Sequence, residues 1–406
     1  SPNTNKPLHL GHIRNNVTGM ALSNILNFSG FKVVKANLIN DRGIHICKSM
    51  LAYQKWGQGS TPEKENIKGD HFVGKFYVAF DQALKEEKQL YAKKQNIDLQ
   101  KFSKDNFKKI KQSINKCKDK EEKKKLKSNL SQLKKESNEF EENFLKASDL
   151  YNEASKMLQK WEQRDKEIIT LWKTMNDWAM EGFYQTYETM GCKFDKIYYE
   201  SETYQLGKKH VLEGLEKNIF YKKEDGSIWL SAKKLKDNFK KEFKGMDLND
   251  KLLLRKDGTC VYMTQDIGTA ILKLNDFDLD RSLYVVANEQ NLHFKILFSI
   301  LKLLEVKNAH GCYHAAYGMV TLPKGMGKIK SREGTKVDAD DLIREMQERA
   351  KQKIKEANLQ ISTDNIEKTS LDIALAALKV FLLQVSLEKD IQFDPNNTIQ
   401  FNGDTG

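Results

Sequence analysis

The stretch His9-Leu10-Gly11-His12 leads into Ile13 to Phe28, where Val17, Met20, Ala21, Ile25 and Leu26 recur near helical spacing. Gly30 supplies a helix-ending glycine. Phe31 to Ile39 (FKVVKANLI) follows, β-branched and apolar enough for a buried strand. Loop, helix, strand is the second half of a βαβ unit. Residues 1 to 8 hold two prolines and two asparagines and cannot provide the first strand, so the chain reads as an excerpt.

Outward from this unit the texture changes twice. Lys101 to Lys135 holds fourteen lysines with Glu and Gln interleaved and no Gly or Pro. That pattern predicts long solvated helices, arranged as a hairpin, with Ile110, Ile114, Leu126, Leu130 and Leu133 on one side. A solvated helical insertion and an RNA-touching surface are both open readings. Ala147 to Met190 is helical and richer in aromatics (Trp161, Trp172, Trp178, Phe183), which predicts packing on a core. From about residue 191 short strands and helices alternate again. Strands are expected at 196–199, 226–230, 282–287 and 314–322, and helices at 265–274, 293–304, 338–357 and 370–386. The fold class is therefore α/β, a mostly parallel sheet split by a helical insertion. The expected divisions are 1–55, 56–190 (lysine-rich at 84–137), 191–335 and 336–406.

Composition narrows the function classes. The chain has 406 residues, and its net charge of +12 comes almost wholly from lysine. A positive field suits a polyanionic partner such as nucleic acid, and coding bias toward lysine explains it equally well. The mean hydropathy is −0.65, and no apolar run approaches a bilayer span, so no membrane role is expected. Five widely spaced cysteines with no CxxC argue against a disulfide framework and against a zinc site. A reducing, cytoplasmic location is the expectation.

Two segments carry chemistry. His9, Gly11 and His12 stand at a helix start, where free N–H groups and the positive dipole end attract phosphate. Two histidines there can donate to phosphate oxygens, and the glycine lets a ribose or base approach the backbone. The second segment is Lys328-Ile329-Lys330-Ser331-Arg332-Glu333-Gly334-Thr335, in a glycine-rich loop after a strand. Clustered cations on such a loop can stabilise a migrating pyrophosphate charge, and a plain basic surface loop is the alternative.

In this order the two segments resemble the HIGH and KMSKS signatures of class I aminoacyl-tRNA synthetases. The run Ser1 to Arg14 (SPNTNKPLHLGHIR) is similar to the arginyl-tRNA synthetase family's signature. So are Asn40 to Gly43 (NDRG), Tyr262 to Asp266 (YMTQD), Asn288 to His293 (NEQNLH) and Gly403 to Gly406 (GDTG). The resemblance covers most of 1–50 and 195–406 and is loose across roughly 80–160. It implies a Rossmann-like parallel-sheet catalytic domain, followed by helices that lead toward an anticodon-binding domain. It also implies activation of L-arginine with ATP and Mg²⁺ to arginyl-adenylate, then transfer to the 3′ end of tRNA(Arg), with a monomer as the family default and no zinc.

The resemblance implies roles residue by residue. His9 and His12 would meet the ATP phosphates, Gly11 would lie under the adenosine, and His293 would border the adenosine site or serve only the helix start. Tyr262 and Asp266 match the family's guanidinium clamp, and their spacing of four puts them on one helical face. Glu200 adds a second carboxylate. Asn3 and Gln290 match the holders of the amino acid's backbone end. Lys330, preceding Ser331, aligns with the second signature lysine. The loop lacks one residue of K-M-S-K-S, so Lys328 competes for that role, and Lys6 can share the phosphate work.

Competing readings make different demands. A glutamate-specific enzyme needs a cationic pocket, against Tyr262 and Asp266. A lysine-specific one shares the carboxylate pocket. An RNA-binding module on an inactive nucleotide fold predicts salt-dependent RNA binding without any effect of ATP or arginine. A small nucleotidyltransferase with the same HxGH would not need the lysine loop. The residues Asp41, Arg42, His45, Lys48 and His71 are dense in polar groups but receive no role.

Overall fold

Helix α1 (Leu10–Phe28) begins where His9 and His12 close a reciprocal cap, each ring accepting from backbone N–H groups of the first turn. It ends at Ser29, followed by Gly30 with φ of +87°. The computed structural model describes residues 2–321, 337–357 and 363–394. The chain forms two compact units. One contains Ser1–Asn3, Leu8–Asp41 and Phe183–Gly406; the other contains Thr4–Pro7 and Arg42–Gly182.

In the first unit β1 (Ala36–Ile39) pairs in parallel with β2 (Lys196–Tyr199), across more than 150 residues of sequence. Strands β3 (Tyr221–Lys222), β4 (Ile228–Leu230) and β5 (Lys251–Leu254) form an antiparallel sheet. Helix α2 (Tyr262–Phe277) then leads to β6 (Ser282–Ala287), α3 (Asn291–Leu303) and β7 (Cys312–Tyr317), with β6 and β7 parallel and in continuous register. Strand β8 (Val320–Thr321), helices α4 (Ala339–Glu356) and α5 (Thr363–Leu383), and β9 (Ile391–Gln392) complete the unit, with β8 parallel to β9. One apolar cluster joins Leu230, Leu253 and Leu254 of the antiparallel sheet to Ile267 and Ala270 of α2 and Leu297, Ile300 and Leu301 of α3. Burial of this kind contributes roughly 25 cal/mol per Å² and fixes α2 and α3, which carry the site.

Two local expectations need correction. The strand expected over Phe31 to Ile39 is only β1, because the ladder with β2 begins at Ala36. Of the apolar positions read along α1, only Val17 is buried, while Ile25 and Phe28 are 62% and 95% exposed. Helix α1 is packed along its first half, where Leu10, Ile13, Arg14 and Val17 face inward.

The second unit is helical. Tyr53, Phe72, Phe76 and Trp178 meet edge to face at its core, with centroid distances of 5.1–6.1 Å. Trp161 is buried against Trp172. The lysine-rich segment is the expected hairpin, helix Lys104–Lys116 followed by helix Lys120–Ala147. Ile114 is buried and Ile110, Leu126, Leu130 and Leu133 are half-buried, so the apolar positions share the protected side.

Candidate active site

A cleft of about 1890 Å³ opens in the first unit, lined by the start of α1, by β1, β6, the first turns of α2 and α3, and Thr321 and Val337. Its geometry starts at His9. The Gly11 N–H donates to His9 Nδ1 at 3.1 Å, and the His9 N–H donates to His12 Nδ1 at 3.1 Å. With both Nδ1 atoms accepting, a neutral ring carries its proton on Nε2. The two rings stack at 3.8 Å. A Cβ on Gly11 would meet the His9 ring at 3.0 Å, so this glycine admits the cap.

The same segment is tied to the far end of the unit. Leu10 N–H donates to Val337 O at 2.9 Å, and Ala339 N–H donates to Leu8 O at 3.0 Å. Thr321 and Val337 therefore put both described ends of segment 322–336 at the cleft. Lys328, Lys330 and Ser331 fall in that segment, outside the described residues.

Arg14 is the functional residue that pattern reading missed. It is fully buried, and its guanidinium donates to Gly318 O and Met319 O, and to Leu387 O and Lys389 O at 3.1 and 2.9 Å. Burial pulls it below its ordinary value, although Tyr317 and Asp390 oppose this. Arg14 thereby holds the strand region before segment 322–336 to the helix bearing His12. Only its place in the GHIR run signals it in the sequence. Asp41 is a second such residue. Its buried carboxylate accepts from Ser201 N–H at 2.8 Å and Ser201 Oγ at 2.6 Å, next to Glu200. Burial pushes Asp41 up from the usual carboxylate value, with the Ser201 bonds opposing it.

The same cleft is lined by Glu200, Tyr262, Asp266, Gln290 and His293. Tyr262 and Asp266 lie on the first turns of α2, as the spacing of four requires. The helix start is anchored by Thr264, whose Oγ1 donates to Leu253 O. Tyr262 is 73% exposed. Asp266 is half-buried and pairs with His293, Nε2 to Oδ2, at 2.6 Å. Gln290 is exposed just before α3. Asn3 does not line the cleft; its Oδ1 accepts from Asn40 Nδ2 at 2.9 Å, and Asn40 does line it. Lys6 belongs to the other unit, where its amine stands 5.7 Å from the Tyr77 ring centre.

A histidine pair at a helix start and carboxylates lining the same cleft suit a ligand with a phosphate and a cationic group. Residues 1–125 and 114–394 match the family described as tRNA synthetases class I (R), catalytic domain. The chain belongs to this family. An arginine–tRNA ligase of Parabacteroides distasonis is 46% identical over 408 residues, covering all of this chain and 59% of that protein. One from Treponema denticola is 45% identical over 407 residues, covering all of this chain and 57% of its own length. The arginyl-tRNA synthetase structures from Thermus thermophilus and Plasmodium falciparum each match with a TM-score of 0.65, over 99% of this chain and 60% and 54% of theirs. At 19% and 16% identity these two show the class I synthetase fold alone. The chain spans under three fifths of the curated relatives it matches. Among the described residues no helix is long and apolar enough to cross a membrane.

Proposed function

We propose that this chain is the catalytic part of an arginine–tRNA ligase, forming arginyl-adenylate from L-arginine and ATP and passing the arginyl group to tRNA(Arg). One observation carries the reading: the stacked His9–His12 pair and the Asp266 carboxylate share one cleft, which Thr321 and Val337, the described ends of the lysine-bearing segment, also line. The histidine Nε2–H groups and the start of α1 receive the ATP phosphates, and Gly11 lies under the adenosine. Asp266, Tyr262 and Glu200 take the guanidinium, which needs acceptors in a planar fork. Gln290 holds the amino acid's backbone end, and Asn3 acts there through Asn40, which lines the cleft.

The chemistry is an in-line displacement. The arginine carboxylate attacks the α-phosphorus, the α–β phosphoanhydride bond breaks, and pyrophosphate leaves. Orientation and charge stabilisation supply the rate, with no side chain required as acid or base. Mg²⁺ arrives with ATP and offsets phosphate charge. Lys330 or Lys328, with Ser331, follow the pyrophosphate. A monomer acting in the cytoplasm completes the proposal. In arginine-dependent ATP–pyrophosphate exchange with tRNA present, His9→Ala and His12→Ala should each lower the rate by about 10²–10³-fold, as for loss of a transition-state donor. Unchanged rates in folded variants would remove the phosphate role.

A further inference from the structure

Asp266 is the carboxylate on which the arginine reading turns, and its own restraint is visible. Within the described residues its Oδ2 is held by His293 Nε2 at 2.6 Å, and no hydrogen bond engages Oδ1. A carboxylate at a partly exposed helix start otherwise turns freely about two side-chain bonds. A short charge-assisted bond removes that freedom. His293 is itself fixed. It lies on the first turn of α3, and its ring stands edge-on to Phe294 at 5.7 Å. Phe294 is buried among Tyr284, Phe298 and His314, with ring centres 5.2, 5.7 and 4.5 Å away.

The charge around the pair is also arranged. Lys273 lies seven residues along α2, two turns from Asp266, with its amine 3.8 Å from the Tyr284 ring centre and attracted to the Asp266 charge. Asp266 therefore has one oxygen, Oδ2, committed to an imidazole from the neighbouring helix.

We propose that His293 is a positioning residue of the amino-acid clamp, holding Asp266 by Oδ2 so that Oδ1 is presented to the guanidinium. This rests on the arginine reading above and moves His293 from the nucleotide end of the cleft to the amino-acid end. The Nε2 atom that would serve a nucleotide is spent on Asp266. An imidazole suits the task, because its Nε2 engages Oδ2 alone and leaves Oδ1 to the substrate.

The test uses the full-length protein and two probes, a non-hydrolysable arginyl-adenylate analogue and ATP, measured by calorimetry. His293→Leu should weaken the analogue about tenfold or more, the scale of a lost hydrogen bond to a charged group, and leave ATP within about twofold. His293→Gln, which keeps an N–H donor, should recover most of the loss. In an Asp266→Asn background, His293→Leu should add less than about twofold, because there is no charge left to position. A merely structural histidine would show neither the rescue nor the coupling. Equal weakening of ATP and analogue, or full additivity with Asp266→Asn, would overturn the proposal. If the wild-type protein binds ATP but not the arginyl analogue, the arginine reading itself fails, and this inference fails with it.

Discussion

In the cleft-bearing unit Arg14 is fully buried and divides its guanidinium among carbonyls more than 300 residues away in sequence. In the helical unit fourteen lysines lie from Lys101 to Lys135, twelve of them on two helices, and none is buried. The ion pairs described within that run are partly exposed, Lys101–Glu136 at 3.5 Å and Lys135–Glu139 at 3.9 Å. The contrast teaches how to weigh charge. Arg14 is expensive to bury and is held by distant backbone, so it sets where two parts of the site stand relative to each other. The lysines keep their hydration and need nothing beyond a helix to sit on.

The sharpest way to break this contrast is at Arg14. Arg14→Met strips four backbone carbonyls of their donor and should cost about 3–5 kcal/mol in chemical denaturation. A loss under about 1 kcal/mol would mean that the burial does no positioning. Lys273 sharpens the comparison in the other direction. Burial lowers its amine to about 8 from an ordinary 10.5, despite attraction from Asp266 and Cys312. That depression corresponds to roughly 3 kcal/mol at neutral pH. Between about 8 and 10.5 the unfolded chain binds the extra proton, so stability should rise with pH through that window. Lys273→Met should be more stable at pH 7 by up to about 3 kcal/mol and should lose that slope. A variant that keeps the slope would clear Lys273 of it.

The smallest effect belongs to the lysines. Lys101 Nζ lies 3.5 Å from the Glu136 carboxylate, so the two ends of the hairpin stand side by side and a short link can replace what lies between. Phe140 and Phe144, outside the replaced stretch, pack on Ala92, and Phe102 inside it joins the same cluster. Changing several exposed lysines of 104–127 to Gln should shift stability by no more than about 0.5 kcal/mol, and replacing 101–135 with a short link should spare adenylate formation. Collapse of the fold would make the hairpin part of the core.

Much of this was legible in local pattern. Helical spacing located α1 and α2, β-branched runs located β6, and the lysine run with its sparse apolar positions located the hairpin. Spacing also placed Tyr262 and Asp266 on one helix. What pattern could not reach were bonds made across the fold. Arg14 to Gly318, Asp41 to Ser201 and Asp266 to His293 join segments whose proximity no local rule encodes. The same limit explains the shortened strand at Ala36, since a strand lasts only as long as its partner does. It also explains the exposed second half of α1, because apolar spacing marks a face without saying what lies beneath it.

The measurement closest to the central claim is the thermal shift of the purified chain with non-hydrolysable arginyl-, lysyl- and glutamyl-adenylate analogues at equal concentration. A ligand that binds only the folded state raises the apparent stability by mass action. The arginine reading predicts a shift selective for the arginyl analogue that disappears in Asp266→Ala. An equal or larger shift with the lysyl analogue would contradict it, as would no shift with any analogue on folded protein.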